Sequence, residues 1–155
     1  MCLDGIGYTE DRHYYGKVDS IQMEWIKQDL AKIDKKTPII VSTHIPFYSI
    51  LEQAESGATS ALHQAAVITN NVEVLEIFDN YNLKLVLQGH LHIVEDIFFK
   101  GTQYITVGSV CGKWWNGPAG ALKKVSLWLK SKAMILNGIM RIMPEKRLNS
   151  WSIKQ

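Results

Sequence analysis

Disulfide bonding, membrane insertion and long-range charge attraction are what this sequence lacks the residues for. Its two cysteines, Cys2 and Cys111, are too few for a disulfide framework, and nothing around them marks them as metal ligands, so both are read as unpaired thiols. No apolar stretch approaches the ~20 residues of a membrane-spanning helix. No charged start followed by an apolar core marks a signal peptide, so the chain as written is expected in the cytoplasm. A formal net charge of +2 is too small to argue for nucleic acid or an anionic membrane as partner, and the basic residues form no long run before the tail. What is present, 155 residues of which 46% are apolar, suffices for one globular domain with a substantial core.

The most informative stretch runs from Leu83 to Asp96, L-K-L-V-L-Q-G-H-L-H-I-V-E-D. Its apolar run, Leu83 to Leu87, has the length and content of a buried strand, ending at Gln88-Gly89. His90 and His92 therefore sit on the turn leaving that strand. Residues two apart on an extended strand point to opposite faces, so a His-x-His pair serves one site only where the backbone turns, and Gly89 is expected to provide that freedom. Paired neutral imidazoles suit a transition metal; solvated loop histidines are the competing reading.

A second stretch, Pro38 to Phe47, reads P-I-I-V-S-T-H-I-P-F, again a strand with a histidine, His44, just past its end, and Pro46 prevents a helix from starting there. Two strands delivering histidines to one sheet edge is a way open α/β sheets build sites. T-H-x-P followed by G-H-x-H, each after a strand, resembles the last two metal motifs of the calcineurin-like metallophosphoesterases. That resemblance covers roughly Leu3 to Gly120. It implies that residues 1–120 are the C-terminal half of a catalytic domain, half of a four-layer α/β/β/α sandwich. By motif it implies that His44 and His90 bind the second metal of a pair and His92 the first, the metals being divalent manganese, iron or zinc and the substrate a phosphate mono- or diester.

In chain order, Met1 to Gly5 reads as the end of a strand running into an Asp-Gly turn, and His13 in the next loop as a surface residue. A helix is expected from Asp19 or Ser20 to about Ile33, with Ile21, Trp25, Ile26, Leu30 and Ile33 largely on one face and Trp25 in the core. Residues 48–69 read as a loop with a short helix, and His63 within it is not taken as a ligand. Asn71 to Asn80 reads as a helix with Val74, Leu75 and Phe78 inward and Asn70 or Asn71 as its cap, which supplies the crossover that parallel pairing with the strand at Leu83 requires. Val94 to Phe99 and Gln103 to Val107 form a hairpin signature around Lys100-Gly101-Thr102.

The glycine-rich loop from Gly108 to Pro118 carries adjacent Trp114 and Trp115 and resembles a segment of one secreted bacterial branch of the family, which leaves a periplasmic or secreted parent open. Those two indoles are the candidate substrate-stacking residues; docking against the protein itself is the competing role. The earlier family motifs, D-x-H, G-D-x-x-D and G-N-H-[DE], do not occur here. Without their bridging carboxylate the three histidines are expected to hold at most one ion weakly, and no catalytic residue of the family is retained. The chain is accordingly read as an incomplete portion of a phosphoesterase, inactive alone and partnered by a missing N-terminal half. A non-catalytic remnant or interaction module that kept the fold is the alternative. Residues 121–155 are basic and Met-rich, unlike the acidic hairpin usual in the family, and a frameshift near Gly120 is expected.

Overall fold

β-branched and aliphatic runs make the strands, and the polar turns between them set the order. The computed structural model describes residues 1–109, and beyond them only the backbone pairing of Ser126–Leu127 with Ile153–Lys154. In chain order the elements are β1 (Cys2–Leu3), β2 (Ile6–Tyr8), β3 (Tyr14–Gly16), α1 (Ser20–Leu30), β4 (Pro38–Thr43), α2 (Leu51–Ser56), α3 (Asn71–Glu76), β5 (Asn82–Gln88), β6 (Glu95–Phe99) and β7 (Thr102–Thr106). The Trp114–Trp115 loop, Cys111 and the tail from residue 121, with the frameshift reading attached to it, lie outside the described residues apart from that one backbone pairing.

The main sheet has the order β1-β4-β5-β7-β6, with β1, β4, β5 and β7 parallel and β6 antiparallel at the edge. This is the expected α/β class: a mostly parallel sheet with histidine-bearing loops leaving its strand ends. Along β4 burial alternates, with Ile39, Val41 and Thr43 buried and Ile40 and Ser42 half-buried. A shift of register between Ile39 and Ile40 pairs them with Leu83 and Leu85, so Lys84 is the extra residue of β5. Directly opposed residues share a face. Val41, Val86 and Tyr104 therefore form one row, and Gln88, Thr106 and Glu95 form the next row toward the strand ends. The hairpin turn between β6 and β7 has positive φ at Lys100 (50°) and Gly101 (82°), as a two-residue turn that follows strand twist requires.

Helix α1 starts where expected, with the Asp19 carboxylate accepting a hydrogen bond from the Gln22 N–H at 2.7 Å. Its inward face differs from expectation. At about 100° per residue, Ile26, Leu30 and Met23 fall together, whereas Ile21 and Trp25 lie more than about 100° round from their centre. Ile26 and Leu30 are accordingly buried, while Ile21 is 81% and Trp25 44% exposed, so Trp25 is not a core residue. Helix α3 is shorter than Asn71 to Asn80, continuing as turns after Glu76, but Val74 and Phe78 face inward as expected. Neither asparagine caps it through its own side chain in the expected way. The Asn70 amide instead makes two bonds to Val18, accepting from its N–H at 3.1 Å and donating to its carbonyl at 2.9 Å. That clamp fixes the chain entering α1 to the chain entering α3.

The core joins Val18, Ile26 and Leu30 to Ile39, Val41, Leu83 and Val86 of the sheet and to Ile45, Phe47 and Ile68 of the connecting loops. Loop residues are as buried as strand residues because the segment after β4 turns inward over the sheet. Gly16 lies where that segment closes against β3: it donates to the Gln64 carbonyl at 2.8 Å, and a Cβ built on it would sit 2.1 Å from the Val67 carbonyl oxygen. Backbone cannot yield as a flexible side chain does. Gly16→Ala should therefore destabilise the chain by about 1–3 kcal/mol or more, read as a lowered urea midpoint. A midpoint equal to wild type would show that residues 64–69 do not hold this close approach in solution.

Candidate metal centre

Parallel pairing of β4 with β5 brings the loops that leave them to the same edge, and both carry histidine. Past Thr43 the chain does not leave the protein. Ile45, Pro46 and Phe47 are all buried, although this segment has no regular structure to satisfy its polar groups. The four carbonyls from His44 to Phe47 and the Phe47 N–H are met individually. The His44 carbonyl accepts from the Gly89 N–H at 3.0 Å, the Ile45 carbonyl from the Thr43 hydroxyl at 3.1 Å, and the Pro46 carbonyl from the Ile68 N–H at 2.8 Å. The Phe47 carbonyl accepts from the Asn71 amide at 3.1 Å, and the Phe47 N–H donates to Gln88 Oε1 at 3.1 Å.

The second loop is tighter. The Leu91 N–H donates back to the Gly89 carbonyl at 2.8 Å, and His90 and His92 adopt left-handed backbone angles, φ 69° and 60°. The turn was expected to draw on Gly89, yet that glycine has no positive φ and the two histidines carry the unusual conformation themselves. For non-glycine residues it costs roughly 1 kcal/mol or more each. Gly89 lies against the His44 main chain, where a Cβ would sit 3.7 Å from the His44 carbonyl oxygen, an ordinary contact.

These two loops place His90 Nδ1 3.2 Å from His44 Nε2, with ring centroids 5.0 Å apart and planes at 75°. Tyr14, on the face of the β2–β3 hairpin that also carries Tyr8, presents its ring edge-on to His90 at 6.0 Å. Burial first, and then neighbouring His44, hold the His90 imidazole below its usual range; a backbone contact at Ala65 opposes this and His92 adds to the lowering. His92 is thus within electrostatic reach of His90. Among the described residues, however, no three His, Cys, Asp or Glu side chains converge closely enough to hold an ion. Of the three histidines proposed as ligands, the fold brings His44 and His90 into direct contact and leaves His92 outside a three-ligand cluster. His13 is 81% exposed and 3.4 Å from Asp11, as expected of a surface residue, and His63 is exposed, its Nδ1 accepting from the Ala65 N–H.

Sequence reasoning missed the residues that support this pair. Gln88, Asn71 and Glu95 bind the loop after His44, and Thr106 joins Gln88 to Glu95. The available signal was Gln88 itself, a polar residue closing an apolar strand, which must find partners if buried.

The family model for calcineurin-like phosphoesterases matches residues 1–94. Two purple acid phosphatases of Arabidopsis thaliana are similar: number 15 is 34% identical over 76 residues, 48% of this chain and 13% of that protein, and number 22 is 30% identical over 79 residues, 50% and 16%. The chain thus spans under a fifth of the length of these curated relatives. Among solved structures, a dimetal phosphatase from Danio rerio aligns at TM-score 0.46 and 20% identity, over 60% of this chain and 27% of that one.

His90 also links stability to pH. Because its folded value is lowered, the unfolded chain binds the proton more readily; its contribution is complete above about 6.5 and lost as pH falls through the lowered folded value. The urea midpoint of the metal-free chain should fall between about pH 7.5 and pH 5, and His90→Gln should flatten that dependence. Equal slopes in the two proteins would assign the proton linkage to other groups.

Proposed function

The chain belongs to the calcineurin-like phosphoesterase family, and from that membership we propose that it carries the histidine side of a metal-dependent phosphoesterase centre. The observation that carries this reading is the 3.2 Å approach of His44 Nε2 and His90 Nδ1. Two nitrogens each about 2.0–2.1 Å from a common ion and separated by a near-tetrahedral angle lie about 3.1–3.4 Å apart, so the pair fits two positions of one coordination sphere. A hydrogen bond between the rings has the same length, and it would hold them in that arrangement before an ion arrives. The lowered proton affinity of His90 acts in the same direction, since only neutral imidazole has a free lone pair to offer.

Two divalent ions in such a centre would activate water and neutralise the phosphoryl oxygens. In this chain His44 and His90 would hold one of them, the second of the pair, and His92 would reach toward the other. Imidazole brings no negative charge, so a working pair needs carboxylates that bridge the ions. Among the described residues no carboxylate completes a three-ligand group with these rings. The 155 residues are accordingly read as an incomplete C-terminal portion of the catalytic domain, over residues 1–120, inactive alone and completed by an N-terminal half that brings the carboxylates. Manganese, iron or zinc suits the histidine and carboxylate set, and phosphate mono- or diesters are the substrates, with Trp114 and Trp115 offered as stacking surfaces. The lack of a three-ligand cluster also favours a second reading, a non-catalytic module that kept the fold.

Zinc titration and turnover separate these readings. The isolated chain should bind zinc weakly, His90→Ala should weaken that binding at least roughly 10-fold, and neither should hydrolyse an aryl phosphate, while a chain extended with the three upstream motifs should. Robust turnover by the isolated chain, abolished in His90→Ala, would sink the claim that added carboxylates are indispensable. Zinc binding indifferent to His90 would favour the non-catalytic module.

A further inference from the structure

A polar row crosses the face of the sheet that carries Val41, Val86 and Tyr104, at the ends of its strands. Gln88, Thr106 and Glu95 stand opposite one another on β5, β7 and β6. Gln88 is 3% and Thr106 0% exposed. Buried polar side chains on a sheet face destabilise unless each finds partners, and here all three do. Gln88 accepts from the Phe47 N–H at 3.1 Å and donates through Nε2 to the Tyr48 carbonyl at 2.6 Å and to the Thr106 hydroxyl at 3.0 Å. That hydroxyl donates to Glu95 Oε2 at 3.0 Å, and Glu95 Oε1 accepts from the Ser49 hydroxyl at 3.0 Å and the Ile50 N–H at 2.9 Å.

The row and the loop therefore form a closed circuit. Covalently, Gln88 is followed by Gly89 and His90, and the Gly89 N–H holds the His44 carbonyl. Through its amide, the same Gln88 holds the backbone three and four residues beyond His44. Both histidine loops are thus tied to one residue, the second through the main chain and the first through the Gln88 amide, whose orientation is set by Thr106 and, through Thr106, by Glu95. The polarity is fixed as well: Gln88 Nε2 donates, so the Thr106 hydroxyl accepts there and sends its own proton to the Glu95 carboxylate. A chain of bonds with one allowed direction has one arrangement, and a side chain with one arrangement positions what it holds.

We propose that Gln88, Thr106 and Glu95 act as a positioning network that sets the placement of His44 against His90. They touch neither ring. Their effect passes through the backbone of residues 47–50 and 89, so their loss should loosen the ring pair while the sheet stays folded.

The test uses the full, metal-free 155-residue chain with histidine nitrogens labelled, followed by long-range proton–nitrogen correlation of the imidazoles. In wild type, His44 and His90 should show complementary tautomers, one ring donating to the other. Thr106→Val deletes the hydroxyl at constant shape and should scramble that pattern, whereas Thr106→Ser restores the hydroxyl and should retain it. Should Thr106→Val not fold by circular dichroism, Glu95→Ala, on the edge strand, carries the same comparison. Zinc affinity gives a second arm, which alone rests on the metal reading above: Thr106→Val should weaken it about 10- to 100-fold and Thr106→Ser should leave it unchanged. A folded Thr106→Val or Glu95→Ala with the wild-type imidazole pattern overturns the proposal whatever the metal does. A wild-type chain that binds no zinc, yet whose ring pattern changes in Thr106→Val, supports the positioning network and defeats the metal reading.

Discussion

The irregular backbone from Ile45 to Phe47 is buried, and every polar group on it that is shut away from water must find a partner inside the protein. This requirement organises the histidine-bearing edge of the fold. A strand satisfies its backbone by pairing with a neighbour, but the segment after β4 has left the sheet and lies across it. Its partners are drawn from β5 through Gln88, from α3 through Asn71, from β6 through Glu95 and from the loop at Ile68. An unmade bond at such a site costs about 1–3 kcal/mol, so the loop has few alternatives of comparable energy. The consequence is functional: His44, exposed at its start, projects from a rigid base.

Parallel register does the other part. With β4 and β5 in parallel, their carboxyl ends reach the same edge, and neighbouring strands lie about 4.8 Å apart, a separation that imidazoles can bridge. The backbone of the second loop then takes left-handed angles at His90 and His92, an unfavourable conformation tolerated because the Leu91 N–H is satisfied within the turn and the Gly89 N–H by the His44 carbonyl of the first loop. Strain of this kind is usual where a side chain must be aimed. Here it aims Nδ1 of His90 at Nε2 of His44.

The electrostatics of the pair follow from that geometry. Burial and a neighbouring imidazole both disfavour a proton on His90, so the arrangement selects the neutral ring, the form that serves as a ligand. Neutral rings also cannot offset the charge of two cations. A metal centre built on such rings would be chemically one-sided, with carboxylates as its natural complement.

The sequence alone was enough to identify β4, β5, the β6–β7 hairpin, the start of α1 and the family, because each depends on short-range patterning: apolar runs, turn residues and motifs contiguous in the chain. It also placed His44 and His90 at strand ends. It misjudged α1, whose exposed Trp25 and Ile21 show that apolar residues spaced for one face need not lie on the one that packs; Asn70 does hold the cap position of α3, but its amide clamps Val18 in place of the helix N–H groups. Which histidines touch, and what holds them, only the tertiary structure decided. Gln88 meets Phe47 across 41 positions and His44 meets His90 across 46. No local pattern encodes a contact at that range, because it arises from strand register and from the need of a buried loop to satisfy its polar groups, and both exist only once the sheet has formed.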